Sequence, residues 1–401
     1  MNPVSRDSRS IGVTTNGHAI GLARERFFAS TAEILRAAVS PPMLTHEQVG
    51  YFYVVDLLRG LAAVAILFWH YSHFFTVGER WLPHPTSADP LYPVFRLVYD
   101  HGGNAVQLFW LISGFTLSAV YTARRRTTRE FAAHRFARLY PLHLITLLCV
   151  AALQIVSIRT VGHPQIYVRN DWLDFLDQLC LASGWGASIR FTFNGPVWTV
   201  SVELLIYALF WMALPRLFVA GAVLPFILAT LALGLSRLGP YGHILQGAFF
   251  FFTGCGLYPV FIACRQRLWT KAMAAGVPIA SAAMLIGRWH AVGPASALFL
   301  MGVVLAAAFV KVERRSPWSA RAMKWLGDNT YGTYLWHVPV QIAILTVVEH
   351  LGIDRIVYHR PVFLLSYLIG IVALARLSFL GFERPCRTYL NRFGSHVTPA
   401  G

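Results

Sequence analysis

The chain has 401 residues, of which 56% are hydrophobic and only 13% charged, with a formal net charge of +16 and a mean hydropathy of +0.52. Soluble domains carry about 25% charged residues. This composition therefore excludes a disordered chain, a coiled coil and a small disulfide-stapled domain, and indicates a polytopic membrane protein.

Residues 1–50 are polar and mixed, with no apolar core of the signal-peptide type. Within them, residues 20–39 place Ile20, Leu22, Phe27, Phe28, Ile34 and Leu35 on one rough face. That pattern fits either a helix lying on the membrane surface or an unattached tail. From residue 53 the apolar runs repeat, each near the ~20 residues that cross a bilayer. They predict an all-α transmembrane bundle of about ten helices, at roughly 55–76, 103–122, 140–158, 196–215, 217–236, 243–263, 272–288, 295–312, 330–349 and 361–382. The basic residues sit in short clusters between these runs, which excludes a nucleic-acid surface and instead reports loop orientation. A cytoplasmic N-terminus puts about two thirds of the 34 Lys and Arg on the inside, as the positive-inside rule demands. An even number of spans then leaves both termini cytoplasmic. The predicted organisation is a tail over 1–50, a membrane domain over 51–387 and a short tail over 388–401. The longest outside segment, about 160–195, carries Asp171, Asp174 and Asp177 and is expected to hold a surface helix. The five cysteines have no CxxC or metal-like spacing, so neither a structural disulfide nor a zinc site is expected.

Ionisable groups inside a span are expensive unless partnered, so each marks a candidate site. Four places qualify. In the first helix, Asp56 and Arg59 precede His70 and His73. Eleven residues are three helical turns plus about 20°, so Arg59 and His70 share a face ~16 Å apart along the axis. That spacing predicts a cation near one interface and an imidazole near mid-membrane. His70 is the candidate base, because imidazole titrates near neutral pH; His73, one turn further out, reads as interfacial. The second place holds Arg124–Arg126 and then His134-Arg135-Phe136-Ala137-Arg138-Leu139-Tyr140-Pro141. Arg135 and Arg138 share a helix face and suit a phosphate; the triple-Arg run reads as an orientation signal. The third runs from Asn194 through Pro196, Trp198 and Thr199 to Glu203, with Thr199, Glu203 and Tyr207 on one stripe. The fourth runs from Leu326 to His337, with Thr330, Tyr334, His337 and Gln341 on a second stripe. Phosphate-loop, HExxH and GxSxG motifs are absent, and Ser113 reads as close helix packing.

Together these stretches resemble the acyltransferase-3 family of integral membrane O-acyltransferases. Arg59 and His70 match its R-x10-H element. Gln107 to Phe115 is similar to its FFxxSGF stretch, Arg135 to Pro141 to RxxRLYP, Asn194 to Glu203 to N-x-P-x-W-S-L-x-x-E, Leu326 to His337 to LGxxSYGxYLxH, and Glu383-Arg384-Pro385 to its closing ERP. Thr199, Val200 and Thr330 depart from the family's usual Ser, Leu and Ser.

The resemblance implies transfer of an acyl group, often acetyl, from acyl-CoA to a hydroxyl, in a bacterial-type plasma membrane. The expected partners are acyl-CoA, a carbohydrate or glycosylated small-molecule acceptor, and the bilayer; no metal is expected. Arg59, Arg135, Arg138 and Tyr140 are the candidate donor-binding residues, and Asn194, Trp198 and Tyr334 the candidate acceptor-binding residues. His70 is the expected general base, or in a variant the acyl carrier, with Asp56, Glu203 or His337 to orient it. Composition alone also admits a multi-pass transporter or lipid-linked substrate flippase. It admits a glycosyltransferase too, for which Glu79, Asp89 and Asp100 are available.

Overall fold

The computed structural model describes residues 50–78, 80–123, 126–265, 294–312 and 316–395. The expected tail over 1–49 and the expected seventh helix at 272–288 lie outside these residues. Among the described residues the chain is helical, apart from one two-residue hairpin, β1 (Thr76–Val77) with β2 (Arg80–Trp81).

The first span, α1 (Tyr53–Trp69), continues as a 3-10 turn over His70–Phe75. Then come α2 (Tyr92–His101), α3 (Ala105–Ala123) and α4 (Thr128–Val161). A short helix, α5 (Trp172–Leu179), stands in the long 160–195 segment. It is followed by α6 (Trp198–Ala220), α7 (Val223–Leu235) and α8 (Gly242–Cys264). The last four are α9 (Pro294–Phe309), α10 (Pro317–His350), α11 (Pro361–Ser378) and, after a π-turn at Phe379–Glu383, α12 (Arg384–Ser395). Among the described residues seven helical stretches are long and apolar enough to cross a membrane; Val223–Leu235 and Leu298–Phe309 are shorter apolar helices. The protein is an integral membrane protein.

Two spans start well before the apolar runs that reveal them. α4 begins twelve residues early because Thr127 and Glu130 form a capping box, each side chain bonding the other's backbone N–H. α10 begins at Pro317 behind the Ser316 cap. Each has 34 residues and measures ~51 Å, well beyond the ~30 Å hydrocarbon core. The predicted break at Pro215 is instead helical: α6 runs through it, because neighbouring helices re-satisfy a proline-freed carbonyl in a membrane bundle. The chain turns at Gly221, whose φ of +55° favours glycine.

α8 is the central helix, with 83% of its apolar window buried. Its contact with α3 is backbone on backbone. A Cβ on Gly114 would collide with the Phe251 carbonyl, and one on Gly254 with the Leu111 carbonyl. Small residues give membrane helices this close approach. The reading of Ser113 as a packing residue thus belongs to its neighbour Gly114. At the periphery, Ile155, Leu231 and Ile369 are exposed, as lipid-facing residues are. Among the described residues no two cysteines are joined in a disulfide.

Candidate active site

α1 and α10 run parallel and in register, and this register builds the site. A Cβ on Gly327 would stand 2.5 Å from Asp56 Cγ, and one on Gly60 would stand 2.8 Å from Leu326 Cβ. The two helices therefore meet through glycines at one end. Ten or eleven residues on, His70 meets His337; one turn later, His73 meets Gln341. His70 closes α1, about 26 Å along the axis from its start. It lies toward the far end of the span, not near its middle as the spacing suggested.

The hydrogen bonds fix the tautomers of these imidazoles. His337 Nδ1 lies 2.6 Å from the Tyr334 carbonyl, which only accepts, so Nδ1 carries the N–H. In neutral His337, Nε2 then accepts from His70 Nδ1–H at 3.1 Å. His70 Nε2 is left with its lone pair and has no hydrogen-bond partner among the described residues. The two rings are near parallel, at 5.0 Å and 10°. Gln341 is the bracket. Its Nε2 donates to the His70 carbonyl at 2.8 Å, where the α-helix gives way to the 3-10 turn. Its Oε1 accepts from His73 Nδ1 at 3.0 Å. His73, near the end of the span, is turned into the protein: it is 5% exposed, stacks on His70 at 4.7 Å, and points Nε2 at the Tyr167 hydroxyl, 3.4 Å away.

The α6 stripe faces α10. Tyr334 donates to the Pro196 carbonyl at 2.7 Å and pairs with Thr199 Oγ1, also at 2.7 Å. Fully buried Asn194 donates to the Leu335 carbonyl at 3.1 Å. Asn194 and Tyr334 thus clamp the entry of α6 to α10 beside His337. Trp198 packs edge-on against Trp110, with centroids 5.9 Å apart.

Below the imidazoles lies a cleft of about 600 Å³, open mouth included, with Arg59, Arg138, Glu203, Tyr207, Thr330 and Tyr331 among its polar lining. Phe109, Trp110 and Val200 supply apolar wall. Tyr331 donates to the Leu139 carbonyl at 2.6 Å, which holds α10 against α4. Arg59 stands 3.7 Å from Asp56, and Arg135 lies over the Tyr207 ring at 5.5 Å. Arg138 has no ion-pair or hydrogen-bond partner among the described residues and lies within electrostatic reach of Arg59, Arg135 and Arg387. Glu383, 6% exposed, faces Arg138 and Arg387 from the closing ERP stretch. Such a cluster, richer in guanidiniums than in carboxylates, suits a polyanion.

The structure joins His70 to His337, but not to Asp56 or Glu203. Asp56 sits fourteen residues before His70 on the same helix, ~21 Å along the axis, bonded to the Tyr51 hydroxyl at 2.5 Å. Glu203 accepts from Tyr207 at 2.6 Å in the cleft. Tyr140 stacks on Phe136 at 4.7 Å, outside the cleft lining. Of the triple-Arg run, Arg126 bonds His134 at 2.7 Å; Arg124 and Arg125 lie outside the described residues. Sequence reading missed His73, Tyr167 and Arg387. Among the described residues no group of His, Cys, Asp and Glu is placed to hold a metal ion.

Residues 52–378, most of the chain, match the family model of the acyltransferase domain, and they include both facing histidines and the cleft lining but not Glu383 or Arg387. The chain belongs to the acyltransferase-3 family. Among curated relatives, the acyltransferase MdmB of Streptomyces mycarofaciens is 34% identical over 120 residues, 29% of this chain and 30% of its own length. A protein of Bacillus subtilis named as a peptidoglycan O-acetyltransferase, YrhL, is 43% identical over 72 residues, 18% of this chain and 10% of its own. The chain thus matches less than a third of either relative. No solved structure matches it. Family membership favours acyl transfer over the transporter, flippase and glycosyltransferase readings that composition left open.

Proposed function

We propose that this family member transfers an acyl group, acetyl in the simplest case, from acyl-CoA to a hydroxyl of a carbohydrate or glycosylated acceptor, with His70 as general base. The observation that carries the reading is the fixed tautomer of His70: its Nδ1–H is committed to His337, and its Nε2 lone pair is free. A base must be neutral, oriented and accessible at one nitrogen. His337 is the positioning residue.

The donor enters from the arginine-rich end, which the positive-inside rule assigns to the cytoplasm of a bacterial-type plasma membrane. Arg59 and Arg138, with Arg135 behind them, hold its phosphates. The pantetheine arm follows the cleft toward Tyr334, covering the ~16 Å between the levels of Arg59 and His70. His70 Nε2 takes the proton from the acceptor hydroxyl as its oxygen attacks the thioester carbonyl. The tetrahedral intermediate collapses with cleavage of the C–S bond, and the proton passes from His70 to the departing thiolate. One ester and one CoA thiol result, with no net proton release. The imidazolium formed on the way keeps its Nδ1–H bond to neutral His337. Asp56 and Glu203 serve the donor end: Asp56 sets Arg59, and Glu203 sets Tyr207 beneath Arg135. Asn194 and Trp198 brace the wall between donor and acceptor. The name of the Bacillus relative supports a glycan acceptor.

Purified protein in lipid nanodiscs, given acetyl-CoA and a panel of glycans, is expected to release CoA thiol only when an acceptor is present. Acceptor acylation from a non-CoA donor with none from acetyl-CoA would contradict the donor assignment.

A further inference from the structure

Past His73, at the end opposite the arginine cluster, three chain segments bring aromatic rings together. Trp81 of β2 stands 6.3 Å from the His73 ring and is 60% exposed. The Tyr167 ring meets His73 edge-on at 5.5 Å. Phe191 stacks on Tyr167 at 6.1 Å and 16°, and is 50% exposed.

The segments that carry Trp81 and Tyr167 are held by backbone contacts. The hairpin carrying Trp81 pairs Thr76 with Trp81, and Arg355 Nη1 donates to the Phe74 and Thr76 carbonyls at 3.0 and 2.7 Å. Tyr167 lies so close over Gly195 that a Cβ there would stand 2.5 Å from its ring. Asn170 Nδ2 donates to the Tyr167 carbonyl at 2.6 Å, while Asn170 Oδ1 accepts from Phe193 N–H, also at 2.6 Å. Two exposed rings grouped round the partly buried Tyr167, one residue from His70, are a binding surface made in advance.

We infer that Trp81, Phe191 and Tyr167 form the acceptor subsite, and that it takes a pyranose ring from the end of the bundle opposite the donor cleft. The negative face of an aromatic ring attracts the weakly positive C–H face of a sugar. The rim of that sugar then presents its hydroxyls to Tyr167 Oη, His73 and His70 Nε2. The Tyr334–Thr199–Pro196 bonds stand between these rings and the donor cleft, so the two substrates approach His70 from opposite ends. The inference rests on the reading of His70 as the base.

The test uses the full chain in nanodiscs with acetyl-CoA, and methyl pyranosides and muropeptide disaccharides as acceptors. Trp81→Ala and Phe191→Ala should each raise the acceptor KM about 3- to 10-fold, leave the acetyl-CoA KM in place, and be largely rescued by Trp81→Phe and Phe191→Tyr. Acceptor, but not acetyl-CoA, should protect Trp81 from oxidative footprinting read by mass spectrometry. Unchanged acceptor KM values, or equal protection by the donor, would overturn the subsite and leave these rings as interfacial anchors. If the wild type releases no thiol with any acceptor, the general-base reading falls and the subsite with it.

Discussion

His70 Nδ1 and His337 Nε2 stand 3.1 Å apart, and the Tyr334 carbonyl on the far side of His337 fixes which of them donates. On the proposed mechanism a neutral imidazole here does what a carboxylate does in a Ser-His-Asp triad: it sets the tautomer and orientation of His70. It places no negative charge beside a low-dielectric site. His337→Phe removes the acceptor and frees His70 to rotate. The expected result is a fall in kcat of roughly 10- to 100-fold, with the acyl-CoA KM nearly unchanged, smaller than the ~10²–10⁴-fold cost of losing the base itself. Steady-state kinetics on both variants check this order; His337→Phe at wild-type kcat would remove its positioning role.

On the proposed mechanism the guanidiniums at the other end of the cleft act on donor binding. A charge-assisted bond to phosphate contributes about 1.5–3 kcal/mol, so Arg59→Ala and Arg138→Ala should each weaken acetyl-CoA binding about 10- to 100-fold. Turnover at saturating donor should fall far less. Isothermal titration with acetyl-CoA and with dephospho-CoA reads the effect. Equal affinity in wild type and Arg138→Ala would remove Arg138 from the donor site.

The α1–α10 register predicts an effect at a distance. Gly327 is ten residues from His337, ~15 Å along the helix, yet its missing Cβ is what lets Asp56 close against α10. Gly327→Ala should cost about 1–3 kcal/mol of stability from overpacking and slow turnover by displacing His337 from His70. Asp56→Gly in the same chain removes the clash, so the double variant should recover stability and turnover relative to Gly327→Ala. Thermal melts in detergent and a double-mutant cycle measure the coupling. Strict additivity would show that the register does not depend on this contact.

A histidine whose charged form is favoured fastens the loop that carries Tyr167 to the end of α10. His163 sits outside the spans, with Nδ1 3.1 Å from the Pro164 carbonyl and Nε2 2.8 Å from Glu349 Oε1. Burial opposes its charge, but both ring nitrogens face acceptors only, and the net effect raises its pKa above 6.5 despite the nearby Arg355. The sign follows by linkage: the clasp is fully present below pH 6.5 and is lost as pH rises through the raised value. Hydrogen exchange at residues 165–168, corrected for intrinsic rates, should therefore show less protection above that window. His163→Gln should flatten the dependence; an unchanged profile in that variant would assign it to another group.

Much of the site was legible because membrane helices bury polar side chains only in stripes. Thr330, Tyr334, His337 and Gln341 were placed on one face by spacing alone, and all four are buried. His73 was misread because sequence does not announce that α1 tightens into a 3-10 turn at His70. In that turn residues three apart eclipse, which stacks His73 on His70 instead of carrying it outward. Tyr167 comes from a loop 94 residues further along, a juxtaposition no local pattern encodes. The early start of α4 did have a signal, the Thr127–Glu130 capping box, but the Arg-rich first turns carry no apolar periodicity. Asp56 and Glu203 were candidate partners of His70 on chemistry alone; only the register separates them from His337.

The central claim is most directly tested on His70 itself. Wild type and His70→Gln, purified in nanodiscs, would be given acetyl-labelled acetyl-CoA and glycan acceptors, with donor affinity measured on the same samples. The account predicts label in the acceptor and an equal yield of CoA thiol for wild type, loss of both in His70→Gln, and acetyl-CoA affinity the same in the two. Near-normal transfer by His70→Gln, with the donor bound as in wild type, would contradict it.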